Sequence, residues 1–284
     1  MRMETCKQEL GDEHPDTLAS METLASTYSK KGRWKEAKDL AESVISVRSR
    51  LQQKNLDLLP SRDILGYTSW SQGQWRKAEL LYEELDAMCR DLLPMEHPST
   101  LAITANFATS LMGREAFVHA ENLYRSSIIT SSKVLGPDHP DTLTIKANLA
   151  TTYRIQGKWE EAEAFDVPVA ESSSKVLGPE HPNTLTSMGN LALTYLNQGR
   201  LREAEELDGQ VLEIRTRVLG PEHPDTLISM NNLAITLRAQ GHDSKAVLLM
   251  EDCFELRSKV LGSEHPYTLS SLEALLRWKQ QLAD

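Results

Sequence analysis

An all-α fold is predicted, a right-handed superhelical solenoid of antiparallel helix pairs, and three observations carry it. A ten-residue phrase recurs at a fixed step, the stretch between recurrences reads as helix, turn, helix, and alanine returns at two positions where paired helices must come closest. Repetition at a step of about 20–50 residues marks stacked units that bury a continuous core only together.

The phrase is VLGPDHPDTL at 134–143, VLGPEHPNTL at 176–185, VLGPEHPDTL at 218–227 and VLGSEHPYTL at 260–269. Its histidines, His139, His181, His223 and His265, stand 42 residues apart, and His97 keeps the step in LLPMEHPSTL. His14, in ELGDEHPDTL, lies 83 residues before His97, so a degenerate repeat stands between them, with Asn55-Leu56 in place of His-Pro. Gly32 with Gly73 and Ala37 with Ala78 fix its register at a step of 41. Repeats begin near 14, 55, 97, 139, 181 and 223, a closing helix begins at 266, and residues 1–284 read as one solenoid domain.

A leading helix at about Met1–Leu10 matches the end of a repeat, so the chain reads as a piece of something longer. The fourth repeat shows the wording of the rest. Pro140 suits the first helical position, where its missing N–H is lost to a helix anyway. Asp141 then sets a negative charge on the positive end of the dipole. Leu143, Ala147, Ala150 and Tyr153 keep helical spacing, Gly157 breaks the helix, and Trp159, Ala162, Phe165 and Val169 resume the spacing on a second one. The closing Leu-Gly-Pro stops it, because Gly accepts a left-handed conformation and Pro cannot continue. Ala25, Gly66, Ala108, Ala150, Ala192 and Ala234 mark the close approach on the first helices; Ala37, Ala78, Ala120, Ala162, Ala204 and Ala246 mark it on the second. Leu276 takes that place in the closing helix, which has no partner to meet. Pro168 and Gly209, mid-helix in repeats four and five, predict weakened or kinked helices.

A net charge of −10 excludes non-specific binding to nucleic acid or to an anionic membrane. Three scattered cysteines, Cys6, Cys89 and Cys253, predict a reducing compartment and no disulfide framework. The polar start MRMETCKQEL and the lack of a long apolar run predict a soluble, cytoplasmic protein. One histidine per repeat is spaced too widely to ligate a metal, and each His-Pro reads as a helix entry. No HExxH, nucleophile elbow, phosphate loop or Cys/His cluster is present, so neither a metal, a cofactor nor an enzyme is expected.

The signature NLA-x-x-Y-x-x-QG-x-W-x-EAE at 148–163, nearly repeated at 190–205, resembles the tetratricopeptide repeat. The 42-residue form ending in LGPEHP-x-TL is similar to the kinesin-light-chain type, as in fungal and bacterial signalling proteins where such arrays follow an NTPase domain; no Walker motif occurs here. The resemblance implies that the first helix of each pair lines a concave groove. It also implies that the asparagine before the Leu of NLA faces the groove, which falls on Asn106, Asn148, Asn190 and Asn232, with Asn231 beside the last. An amide both donates and accepts, so this ladder suits the backbone of an extended peptide. The alternative is that these amides tie neighbouring helices together. Repeats one and two depart from the pattern with Thr23 and Ile64.

Charge refines the groove. First-helix segments 102–114, 144–156, 186–198 and 228–240 contain no Asp or Glu but do contain Arg114, Lys146, Arg154 and Arg238. Second-helix segments 118–133, 158–175, 200–217 and 242–259 carry 15 carboxylates, which are expected on the outer wall. A neutral or acidic peptide is therefore the expected ligand. Tyr67 and Trp70, on the first helix of the degenerate repeat, either anchor an apolar group in the groove or fill space that the degeneracy leaves. The functional expectation is a protein-interaction scaffold. A sensor or oligomerisation segment of a larger signalling protein is the alternative, and a small-molecule site or non-motif enzyme in the cavity is a further one.

Overall fold

The computed structural model describes residues 2–52 and 54–283, and the described residues contain helices and no strand. A leading helix, α1 (Arg2–Leu10), is followed by helix pairs α2 (Pro15–Lys30) with α3 (Trp34–Arg50), α4 (Leu59–Ser71) with α5 (Trp75–Leu92), and α6 (Pro98–Met112) with α7 (Phe117–Val134). Then come α8 (Pro140–Ile155) with α9 (Trp159–Leu177), α10 (Pro182–Asn197) with α11 (Leu201–Leu219), α12 (Pro224–Ala239) with α13 (Asp243–Leu261), and the closing α14 (Pro266–Ala283). The predicted order of leading helix, six pairs and closing helix is found; Met1 lies outside the described residues. The chain divides into two compact units, Met1–Gly136 and Pro137–Asp284.

The histidines do what a helix entry needs. Nδ1 of His14, His97, His139, His181, His223 and His265 accepts the backbone N–H two residues on, at 3.1–3.2 Å, while proline takes the next position. Each satisfies one of the donors that a helix start leaves without an intrahelical partner. Where Asn55-Leu56 replaces His-Pro, a 3₁₀ turn at Asn55–Leu58 intervenes and α4 starts only at Leu59, with no side-chain cap. The turn inside each pair is closed by a left-handed residue such as Gly157 (φ 73°). Repeat three places Glu115 there (φ 60°), at a cost on the order of 1 kcal/mol.

Alanines predicted at close approach, from Ala25 to Ala234 and from Ala37 to Ala246, are wholly buried. Gly66 substitutes for one of them because a Cβ there would lie 2.8 Å from the Tyr82 ring. Leu276 is 62% exposed. Helices α9 and α11 run unbroken through Pro168 and Gly209.

In the first unit α2 packs beside α4 and α4 beside α6; in the second, α8 packs beside α10 and α10 beside α12. No comparable packing joins successive second helices among the described residues of either unit. First helices are thus the closer-spaced inner row, and second helices the outer one.

One expectation needs correction. Not all second-helix carboxylates face outward: Asp166 and Asp208 are only 1% and 2% exposed. Both occupy the position of Tyr82, Tyr124 and Met250, which points at the paired first helix. Asp166 Oδ2 accepts Thr194 Oγ1 and Arg154 Nη1, each at 2.6 Å, and Asp208 Oδ2 accepts Thr236 Oγ1 at 2.8 Å. In repeat five Leu196 stands where repeat four has Arg154, so Asp208 has no arginine. Burial pushes its carboxyl up to about 6, only partly opposed by Thr236.

Candidate functional site

The inner row of the second unit carries the open polar groups. Asn148 on α8 and Asn190 on α10 line one hollow of about 160 Å³, with Thr144 and Ala147 on the α8 side and Thr186 on the α10 side. Leu143 and Ser187 of the same two helices, and Ser173 and Leu177 of α9, also line it. Among the described residues the amides of Asn148, Asn190 and Asn232 make no side-chain hydrogen bond, and all three residues are half-buried. Their backbone carbonyls remain in the helices; Thr152 and Thr194 donate to those of Asn148 and Asn190.

Other predicted residues are engaged within the chain. Asn106 Nδ2 donates to Asp63 Oδ1 at 2.9 Å, and the Tyr82 hydroxyl donates to the same oxygen at 3.0 Å. Asp63 carries its proton more tightly than an ordinary carboxyl because burial outweighs these two donors. Asn231 Oδ1 accepts Arg257 Nη1 at 3.2 Å. Arg154 is 9% exposed and divides its donors among Asp166, Thr194, Thr151 and the Asn190 carbonyl, so it offers no open guanidinium. Arg238 pairs with Asp243 and donates to Gln281, and Lys146 reaches back to the Pro137 carbonyl.

In the first unit Tyr67 is 41% exposed, but Trp70 is half-buried and the two do not stand alone. Tyr67, Trp70 and Trp75 pack in a row, the first pair tilted and the second edge to face, with centroids 6.2 and 6.1 Å apart. Trp75 lies against Gly113, where a Cβ would come 2.6 Å from the ring. The row fills the turn end of α4 and α5, the space-filling alternative, with the face of Tyr67 left to solvent.

Sequence reasoning missed three arginines of the second helices. Arg48, Arg215 and Arg257 share one repeat position and reach between successive first helices, where they are 4–9% exposed. Each donates to a backbone carbonyl at the entry to the following first helix: Asp57 in the 3₁₀ turn before α4, Asp225 in α12 and Tyr267 in α14. The signal that could have found them is their common register, with Arg215 and Arg257 42 residues apart, opposite a small or polar first-helix position.

Among the described residues no helix is long and apolar enough to cross a membrane, and no group of three or more His, Cys, Asp or Glu is placed to hold a metal ion. Stacked helix pairs with an inner row of polar side chains define a helical-repeat interaction scaffold. The chain belongs to the tetratricopeptide repeat family, whose model matches residues 3–50, 99–166, 147–215 and 190–259. Of the stretches outside these matches, 51–98 holds the degenerate second repeat and 260–284 the closing helix. A comparison with curated proteins found no match.

Among solved structures, the kinesin light chain-like, nearly identical tetratricopeptide-like repeats of Podosopora anserina are 31% identical. They align over 71% of this chain and 95% of their own, with a TM-score of 0.60. BtubC (BKLC) of P. vanneervenii is 20% identical over 88% of this chain and 94% of its own, with a TM-score of 0.61. NprR in complex with its cognate peptide NprX shares the fold at 11% identity, over 97% of this chain and 77% of that one, with a TM-score of 0.68.

Proposed function

We propose that the chain is a peptide-binding scaffold whose ligand lies extended along the inner row of α8, α10 and α12. One observation carries the reading: amides of Asn148, Asn190 and Asn232 recur one per repeat with no partner among the described residues, two of them at the rim of a hollow. Donor and acceptor on one short side chain can pair with a peptide N–H and C=O irrespective of its sequence. Burying such amides against a peptide that satisfies them costs little, whereas an apolar surface would leave them unpaired. The hollow between Asn148 and Asn190 takes one side chain and supplies selectivity. NprR, which shares this fold, is known with a peptide bound. Arg154, Asn106 and Asn231 are left out of the proposed contact set because each already holds a side-chain partner within the chain.

Panning a displayed library of random dodecapeptides on the full chain tests the reading. Wild type enriches a consensus, and Asn148→Ala with Asn190→Ala abolishes it while the helical circular-dichroism signal and melting temperature stay within experimental scatter of wild type. Retention of the consensus by the double variant would refute the asparagine ladder.

A further inference from the structure

Three arginines in one register invite a comparison of what each is given. In the first unit Arg48 receives a two-pronged carboxylate from the preceding first helix: Nη1 to Glu22 Oε1 at 2.7 Å and Nη2 to Glu22 Oε2 at 2.9 Å. Ser61, on the following first helix, donates to the same Oε1 at 2.5 Å. In the last slot Arg257 has the neutral Asn231 at Glu22's position, together with Ser271 at 2.7 Å. Between them Arg215 has Gly189 at that position. A Cβ built on Gly189 meets nothing within 4 Å, so the slot is open where Glu22 stands in repeat one.

Arg215 is otherwise held as Arg48 and Arg257 are. Nη1 donates to the Asp225 carbonyl at 3.1 Å and to Ser229 Oγ at 2.9 Å, and Nη2 donates to Thr186 Oγ1 at 3.0 Å. All its partners are neutral, and among the described residues no carboxylate lies within ion-pair distance of it. Asp225 acts on it only at a distance, with its carboxylate 44% exposed and turned toward His223. Burial holds the guanidinium below its ordinary value, as expected for a buried cation short of a counter-charge. Thr186 is exposed and also lines the Asn148–Asn190 hollow, so the slot adjoins the proposed peptide path.

From this geometry we infer that Arg215, Thr186 and the gap at Gly189 form an anchoring slot for one Asp or Glu side chain of the bound peptide, the ligand supplying in trans the carboxylate that Glu22 gives Arg48 in cis. The inference rests on the peptide-binding reading for its ligand but not for its chemistry. A carboxylate set two-pronged on a guanidinium is the strongest polar pairing that side chains offer. Thr186 and the Asp225 carbonyl hold the fork in place, and Ser229, which accepts from Nη1 in the empty slot, turns to donate to the incoming carboxylate as Ser61 donates to Glu22.

Two arms test it. Gly189→Glu should restore the pair within the chain and melt about 3–6 °C above Gly189→Gln, a gap that closes in the Arg215→Gln background. Both glutamine and glutamate replace the glycine, so helix propensity cancels. Equal melting of the two variants would overturn the slot whatever the chain binds. In the library arm, the wild-type consensus should contain one position enriched at least tenfold in Asp or Glu. That enrichment disappears with Gly189→Glu, which keeps the fold, while the rest of the consensus remains. A consensus without an acidic position sinks the slot and leaves the ladder standing; no consensus at all sinks the peptide reading, with the melting arm still deciding the slot.

Discussion

The two units use one repeat to opposite ends, and a single first-helix position shows how. In the first unit it holds Glu22, Asp63 and Ala105; in the second it holds Ala147, Gly189 and Asn231, with Glu273 in the closing helix. Glu22 closes on Arg48, and Asp63 gathers Tyr82 and Asn106, so acids on the inner row are consumed by neighbours. With glycine and alanine in their place, Arg215 has no acid beside it and Asn190 lacks the partner that Asp63 gives Asn106. The backbone is the same; whether a polar group is structural or available depends on who stands one helix away. The second-helix core differs in the same sense: Tyr82 and Tyr124 give way to Asp166 and Asp208.

The largest way to break this contrast is to open the closed wall. Glu22→Ala leaves Arg48 buried without its carboxylate and Ser61 without its acceptor, a loss of about 3 kcal/mol in denaturant unfolding. Gly189→Ala, at the matching position, should cost none, since nothing occupies that space.

Asp208 sharpens the difference in the core. Its folded pKa of about 6 lies above the ordinary 3.8, so the folded state holds the proton more tightly than the unfolded chain does. Its contribution to stability is therefore fully present at low pH and is lost as pH rises through 6. Asp208→Asn, which can still accept from Thr236, should stabilise the chain by about 2 kcal/mol at pH 8 and by only about 0.5 kcal/mol at pH 4. Thermal melts at the two pH values check this. No gain at pH 8 would mean that the carboxylate is better solvated than its burial indicates.

Smaller effects separate caps from groove. His181→Ala removes the acceptor for the Asn183 N–H and should cost about 1 kcal/mol, read from the urea midpoint. Asn106→Ala, which deprives buried Asp63 of a donor, should cost about 1–2 kcal/mol. Asn148→Ala should stay within about 0.5 kcal/mol of wild type, because it has no partner to lose. Equal costs for the two asparagines would erase the distinction between tie and ladder.

What the sequence disclosed, and what it did not, follows the same line. Helix order, His-Pro entries and buried alanines are periodic, so one repeat predicts the next. The unpaired or mispaired groups are departures from the period. Asp166 and Asp208 were expected on the outer wall because the charge was assigned helix by helix. Their register with Tyr82, Tyr124 and Met250 places them inward. Arg154 read as a groove cation from its helix alone, yet its proper partner, Asp166, lies on the next helix twelve residues on. Gly189 reads as an ordinary helix glycine until it is set beside Glu22, several repeats away across a degenerate one.

The hollow between Asn148 and Asn190 also sets a scale. At about 160 Å³ it has room for several waters, and Ser173 and Ser187 give them partners while Leu143 and Leu177 do not. A ligand side chain entering it exchanges hydration that is only half satisfied. A compact residue with one polar end, such as threonine, recovers what the waters had.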